Sequence, residues 1–146
     1  MSFESLRKLR AQTVEALMME LAQIARTLAQ SEERYHDLES IIQEEVVTYD
    51  RQSAQGLTIE AWLERQGRID SQQAALCRVR REITQAVEAW QQTKARLVEA
   101  SQERKLLDLV ADKRQEAQRA DAARQEQRTM DEAASRQHFT RRESHS

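Results

Sequence analysis

Helix breakers are nearly missing from this sequence, and that feature restricts the fold more than any other. The chain has no proline and two glycines, Gly56 and Gly67, in 146 residues. Proline breaks a helix and glycine loosens one, so this sequence permits very long helices. Aromatic residues make up 4% of the chain and charged residues 33%, which leaves few large side chains for a globular core. Such a composition is typical of a coiled coil or a long helix.

The first third of the chain repeats apolar residues at alternating three- and four-residue spacings. The positions of this first seam are Val14, Leu17, Leu21, Ile24, Leu28, Ser31, Tyr35, Leu38, Ile42, Glu45 and Tyr49. Nine of the eleven are apolar or aromatic, which is the narrow stripe of a coiled coil. Phe3, Leu6 and Leu9 continue it backward with a shift of phase. The pattern predicts a helix from about residue 3 to 53.

A turn is predicted over residues 54–58. Gly56 can take the left-handed conformation that ends a helix, and Thr58 can cap the next one. Leu57 and Trp62 then fall at the positions of a hydrophobic staple. A short turn between long helices makes them antiparallel neighbours, with residue i opposite about residue 113 − i. This register pairs Trp62 with Tyr49, and Trp90 with residues 21–24.

The second half of the chain carries large residues every seven positions. They are Trp62, Ile69, Leu76, Ile83, Trp90 and Leu97. The positions assigned between them are partly polar: Ile59, Gln66, Gln73, Val79 or Arg80, Val87, Lys94 and Ser101. A strict seven-residue repeat predicts left-handed supercoiling, in a second helix over about residues 59–138. We interpret the stripe as the seam of the hairpin itself, with homodimerisation as the alternative.

The predicted second helix outruns the first. Residues 111–138 contain no Leu, Ile, Val or aromatic residue, and Met130 is their one long apolar side chain. We interpret residues 103–138 as a solvated helix or, by preference, as a segment that docks in a groove or channel of a larger assembly. Residues 140–146 are predicted to be a disordered end. The fold prediction is therefore a single all-α domain, an antiparallel two-helix coiled-coil hairpin with an extended second helix.

Several classes of function are disfavoured by charge and composition. The net charge is −2 with both signs mixed, unlike the basic stripe of a nucleic-acid binder. No apolar run approaches the roughly 18 residues of a membrane span, and the N-terminus lacks the apolar core of a signal peptide. Cys77 is the single cysteine, which fits a reducing compartment. These features predict a cytoplasmic protein without membrane insertion.

No chemistry-bearing motif is recognisable. The sequence has no glycine-rich phosphate loop and no paired cysteines, and His36, His138 and His145 are far apart. A two-helix hairpin also lacks a concave pocket that would exclude water from a substrate. We therefore expect a non-enzymatic protein without cofactor or metal, one that works by binding other proteins.

Several short segments, in this order, resemble the flagellar export FliJ family over nearly the whole chain. The N-terminus has the pattern Phe-x-x-Leu at residues 3–6, and Tyr49, Gly56 and Trp62 surround the turn. In the second helix the segments are Lys-Ala-Arg-Leu at 94–97, Glu-Arg-Lys-Leu-Leu at 103–107 and Met-Asp-Glu-Ala at 130–133. The related YscO-type stalk proteins of virulence type III secretion are a second resemblance. The last two segments favour the flagellar branch.

The resemblance implies a stalk similar to the γ subunit of rotary ATPases. Its implied partners are the hexameric export ATPase (FliI-like), whose ring assembly it would promote, the cytoplasmic domain of the export gate (FlhA-like) and export chaperones. The protein would then lie at the inner face of the cell membrane through the export apparatus. A self-associating structural coiled coil and an adaptor of another rotary ATPase remain as alternatives.

Two sets of contact residues follow from the resemblance. The set implied for the ATPase is Arg104, Leu106, Leu107, Leu109, Val110, Asp131 and Glu132. The set implied for the export gate is Tyr35, Ile42, Tyr49, Trp62 and Ile69. The sequence departs from the family pattern near the turn, where Tyr49 stands alone and Arg68 occupies the place of an expected aromatic ring.

Overall fold

A computed structural model describes residues 2–144 and is helical almost throughout. Helix α1 spans Phe3–Gln55 with 53 residues, and helix α2 spans Ile59–Ser144 with 86 residues. The two helices form the predicted antiparallel hairpin, and α2 is the longer partner. The described residues include no strand. No helix among them combines the length and the apolar character needed to cross a membrane.

Both helices end later than the sequence predicts. Helix α1 continues two residues beyond residue 53, and α2 continues beyond 138 to Ser144. Good helix formers without a proline or glycine run to that point, so nothing in the chain ends the helix earlier. The predicted disordered end therefore overlaps helix at residues 140–144, while His145 and Ser146 lie outside the described residues.

The turn between the helices has the predicted chemistry. Gly56 has a φ of 94°, and its N–H donates to the carbonyl oxygen of Ser53 at 3.2 Å. The Oγ1 of Thr58 accepts a hydrogen bond from the N–H of Ala61 at 3.2 Å, which is the geometry of a helix N-cap. Because a side chain is strained at this φ, glycine at position 56 favours this turn over a continuous helix.

Two units are distinguished along the hairpin, and each is described separately. The larger unit consists of residues 11–100 and contains the turn. The smaller unit joins the N-terminal residues up to Arg10 with the part of α2 from Ser101 onward.

In the larger unit, the first seam is confirmed. Each of its eleven positions is buried or half-buried, and Ser31 retains 1% of its exposure. On α2 the seven-residue stripe is half-buried from Ile69 to Leu97, while Trp62 remains 42% exposed. The stripe therefore forms the seam of the hairpin from Ile69 onward.

The intermediate seam positions of α2 differ from the prediction. They are Gln72, Val79, Ala86, Thr93 and Ala100. Of the predicted pair Val79 or Arg80, Val79 is the buried member, whereas the predicted positions Gln73, Val87, Lys94 and Ser101 are exposed. A spacing of three residues after each stripe residue replaces the predicted spacing of four. Several of the actual positions hold small side chains, which let two helices approach closely. Beyond Gln72 the predicted seam positions were thus wrong except for Val79.

Cross-helix contacts in the larger unit define the register. Arg34 pairs with Glu82, Arg96 pairs with Glu20, and Arg80 donates to Tyr35. The paired residue numbers add up to 116, 116 and 115, against the predicted 113. Tyr49 accordingly lines a groove with Arg65, Arg68 and Ile69. With a sum of 115–116, Tyr49 lies opposite residues 66–67 rather than opposite the residues predicted by a sum of 113.

Candidate functional site

In the smaller unit, charged side chains join the first turns of α1 to α2. Arg7 Nη2 lies 3.1 Å from Asp108 Oδ1, and Arg10 Nη1 lies 3.0 Å from Glu103 Oε2. The hydrogen bond to Asp108 raises the pKa of Arg7 above its ordinary value. Because these four side chains are 35–46% exposed, screening by solvent keeps the contribution of each pair to stability small.

The ring of Phe3 covers the N-terminal end of this contact. The Arg114 guanidinium lies 4.3 Å from the centroid of that ring, a cation–π distance. Phe3, Arg114 and Gln118 line one surface groove. The contact of α1 with α2 in this unit therefore extends to about residue 118.

A cluster of exposed apolar side chains lies on α2 in the same unit. Leu106, Leu109 and Val110 are 63%, 51% and 41% exposed, and we call them the leucine patch. Their spacing of three and four residues places them on one face of the helix. Leu107, between Leu106 and Leu109 in the sequence, is half-buried instead. Leu107 belongs to the implied ATPase-contact set, but its side chain is not part of the exposed leucine patch.

Beyond residue 118, α2 continues for a further 26 residues to Ser144. We call residues 119–144 the overhang, and each of its side chains from 119 to 143 is exposed. Four polar interactions of the overhang lie within α2, among them the ion pair of Arg124 Nη1 with Asp121 Oδ1 at 3.6 Å. Met130 and Phe139 are each 67% exposed.

The implied contact residues Asp131 and Glu132 lie on the overhang, apart from the leucine patch. They are exposed, and Gln127 Nε2 donates to Asp131 Oδ1 at 3.2 Å. At about 1.5 Å per residue, the 25 residues between Leu106 and Asp131 correspond to about 37 Å along the helix. The structure therefore presents the implied ATPase set as two separate surfaces on α2.

The residues implied for the gate lie mostly in the seam of the larger unit. Tyr35, Ile42, Tyr49 and Ile69 are half-buried, and Trp62 is the exposed member. Arg80 Nη2 donates to the Tyr35 hydroxyl at 3.0 Å, and this hydrogen bond raises the pKa of Arg80. Packing of α1 against α2 thus covers most of the apolar surface of the four half-buried residues.

Next to Trp62 is an exposed cluster that the sequence analysis missed. Ile59 is 77% exposed and lies one helical turn before Trp62, and the adjacent Leu63 is 57% exposed. We call Ile59, Trp62 and Leu63 the tip cluster. The spacing of three and four residues directly after the Thr58 cap was the available signal, but Ile59 was assigned to the seam. Glu60 and Glu64 flank the cluster with negative charge.

Two buried hydroxyl groups sit in the seam, one on each helix. Ser31 and Thr93 both retain 1% of their exposure. Arg34 Nη2 donates to Ser31 Oγ at 3.2 Å and to Glu82 Oε2 at 2.8 Å. On α2, Arg96 Nη2 donates in the same way to Thr93 Oγ1 at 3.3 Å and across to Glu20 Oε1 of α1 at 3.4 Å. Each buried hydroxyl is thus satisfied by an arginine that also reaches the opposite helix.

The described residues contain no group of three His, Cys, Asp or Glu side chains that could hold a metal ion. Cys77 is exposed. What the arrangement offers chemically is surface: a leucine patch, a charged overhang and an apolar tip cluster, each suited to binding a protein.

The family model described as "Flagellar FliJ protein" matches residues 1–143 of the chain. No curated protein and no solved structure matches the sequence.

Proposed function

Because the chain belongs to the flagellar FliJ family and is thus a protein associated with flagellar export, we propose that it acts as a non-enzymatic stalk. It binds the hexameric export ATPase, promotes assembly of the ring and links the ring to the export gate. The observation that carries the proposal is the overhang, in which every side chain from residue 119 to 143 is exposed. Helical stability comes mostly from packing, so a long unpacked helix fits a segment that packs on a partner.

The leucine patch supplies the apolar part of the proposed ATPase contact. An exposed leucine or valine that becomes fully buried gains about 1.5–3 kcal/mol. Because Leu106, Leu109 and Val110 are 41–63% exposed, completing their burial gives roughly half of that value each, about 2–5 kcal/mol together. The overhang therefore has to add to the contact to offset the cost of association. The three residues lie on the part of α2 directly before the overhang, so one helix enters the ring with both surfaces.

The overhang supplies a contact that can be remade. Residues 119–143 hold six basic and five acidic side chains, so the segment carries almost no net charge. Exposed ion pairs are worth about 0–1 kcal/mol each. A rod with such a surface binds the lumen of a ring without locking to one subunit, which suits a ring whose subunits change state during ATP hydrolysis.

Steady-state ATP hydrolysis by the export ATPase of the same organism tests this proposal. We expect the protein to raise the rate in a saturable manner and to shift the ATPase from monomer to hexamer, measured by mass photometry. An unchanged rate together with no co-elution would overturn the stalk function. Self-association of the chain, measured as a dimer or larger species in the same experiment, would then support the structural coiled coil.

For the gate, we propose a contact that begins at the tip cluster. Trp62 belongs to the set implied by the family resemblance and is exposed, and Ile59 and Leu63 extend it on the same face. The half-buried members of the set, Tyr35, Ile42, Tyr49 and Ile69, are less accessible in the closed hairpin. Export chaperones are further proposed partners, and the protein would lie at the inner face of the cell membrane through the gate.

Replacing Ile59, Trp62 and Leu63 together with Asp should abolish binding to the gate domain and leave stimulation of the ATPase unchanged. Burial of three apolar side chains is lost, so affinity should fall by at least about 100-fold. Isothermal titration calorimetry with the isolated gate domain measures the effect. The matched control replaces three exposed apolar residues elsewhere, Met18, Met19 and Val98, with Asp. Unchanged gate affinity in the tip variant would remove the tip cluster from the proposal.

A further inference from the structure

The part of the hairpin next to the turn is packed differently from the rest of the larger unit. The buried residues of this unit are Val14, Ser31, Val79, Thr93 and Ala100. In the segment 32–78, all of which the structure describes, no side chain is buried. The 24 residues before the turn and the 20 after it therefore meet across a seam of half-buried side chains.

The seam near the turn is also polar. Glu45 and Gln52 occupy seam positions of α1, and Arg65, Gln66 and Gln72 are half-buried on α2. The Oε1 atom of Gln72 is buried without a hydrogen-bond partner among the described residues. An unpaired buried polar atom costs free energy, because it loses its hydrogen bond with water. By contrast, the buried hydroxyl of Ser31 is hydrogen-bonded to Arg34.

No side-chain hydrogen bond or ion pair joins the two helices in this part of the hairpin, which the structure describes in full. Between residues 39 and 76, which the structure describes completely, the hydrogen bonds of side chains remain within one helix, as from Thr48 to Glu44 and from Gln66 to Asp70. The bridges that join the two helices of the larger unit begin at Tyr35 with Arg80 and at Arg34 with Glu82. Gly67 adds an unfavourable residue inside α2.

From these observations we propose that residues 39–76, the tip segment, open as a local unit while residues 14–35 and 79–100 stay paired. Regions with few buried apolar contacts open at a lower free energy than the global unfolding of a protein. The bridges of Arg34 and Arg80 and the buried Val79 mark the end of the opening unit.

Opening would expose a contact surface that the closed hairpin conceals. Ile42, Tyr49 and Ile69 are half-buried in the seam of the tip segment, and separation of the helices frees their apolar faces. Their use in gate binding rests on the proposed function, since the gate is the partner implied for these residues. The opening itself requires no partner and is a property of the free chain.

Hydrogen–deuterium exchange of the full-length free protein, followed by mass spectrometry, tests the opening. We expect backbone amides in residues 42–52 and 62–76 to exchange at least about tenfold faster than those in residues 17–31 and 83–100, because the less stable unit opens more often. Equal protection of the two regions would overturn the proposal.

A repaired seam gives the second arm of the test. Glu45→Leu, Gln52→Leu and Gln72→Leu together replace half-buried polar side chains, and exchange in the tip segment should slow at least about tenfold. The matched control applies the same three types of substitution to exposed neighbours, Glu44→Leu, Gln43→Leu and Gln73→Leu. A control that slows exchange as much as the repair would overturn the assignment to the seam. If the unmodified protein does not bind the gate domain, the proposed function is contradicted, while the opening of the tip segment still stands on its exchange pattern.

Discussion

Replacing Leu106, Leu109 and Val110 together with Asp is expected to abolish stimulation of the export ATPase while the protein remains fully helical. The three side chains are between 41% and 63% exposed, so Asp at these positions costs the folded hairpin little. In the proposed complex the exposed part of each side chain is buried as well, which contributes roughly half of the about 1.5–3 kcal/mol of complete burial. Their combined loss should weaken binding by at least about 100-fold. The measurement is the ATP hydrolysis rate against the concentration of the variant.

Two controls separate docking from folding in this experiment. The variant with Asp at Met18, Met19 and Val98 changes the same number of exposed apolar residues outside the smaller unit and should stimulate normally. Leu107→Asp changes a half-buried seam residue, so it should lower the melting temperature. Normal stimulation by the leucine-patch variant, with circular dichroism unchanged, would remove the patch from the ATPase contact.

The sequence predicted α1 more accurately than α2 for a physical reason. In α1, large residues such as Leu21, Ile24 and Leu28 occupy both alternating positions of the seam, so the periodicity is unambiguous. In α2, one set of positions holds small residues such as Ala86 and Thr93, which carry little hydrophobic signal. A helix of 3.6 residues per turn accommodates a step of three or four, and the larger side chains favoured the wrong step.

The candidate surfaces were predictable to different extents. The overhang follows from sequence alone, because residues 111–138 lack large apolar side chains other than Met130. The residues of the leucine patch were implied by the resemblance together with Leu107, and their exposure was not predictable from the sequence. The neighbours of Tyr49 and Ile69 could not be predicted from the sequence, because they depend on the register of the two helices. The length of the turn determines that register. A shift of the register from 113 to about 116 moves Tyr49 from Trp62 to Arg65 and Ile69.

Deletion of residues 119–146 is expected to abolish stimulation of the ATPase without destabilising the hairpin. The deleted segment starts after Gln118, so the contacts of Phe3 with Arg114 and of Arg7 with Asp108 are retained. No described side chain from 119 to 143 is buried, so the thermal midpoint measured by circular dichroism should change by less than about 2 °C. The ATP hydrolysis rate should fall to that of the ATPase alone.

Substitutions within the overhang test the same ATPase contact without shortening the chain. Asp131→Ala with Glu132→Ala removes the two acidic side chains implied for the ATPase contact, and half-maximal stimulation should require about three- to tenfold more protein. Asp121→Ala with Glu126→Ala removes equal charge from the same helix and is the matched control. Equal effects of the two pairs would mean that the ring senses the net charge of the overhang. Full stimulation by the truncated chain would restrict the ATPase contact to the leucine patch, because the patch would then bind without the overhang.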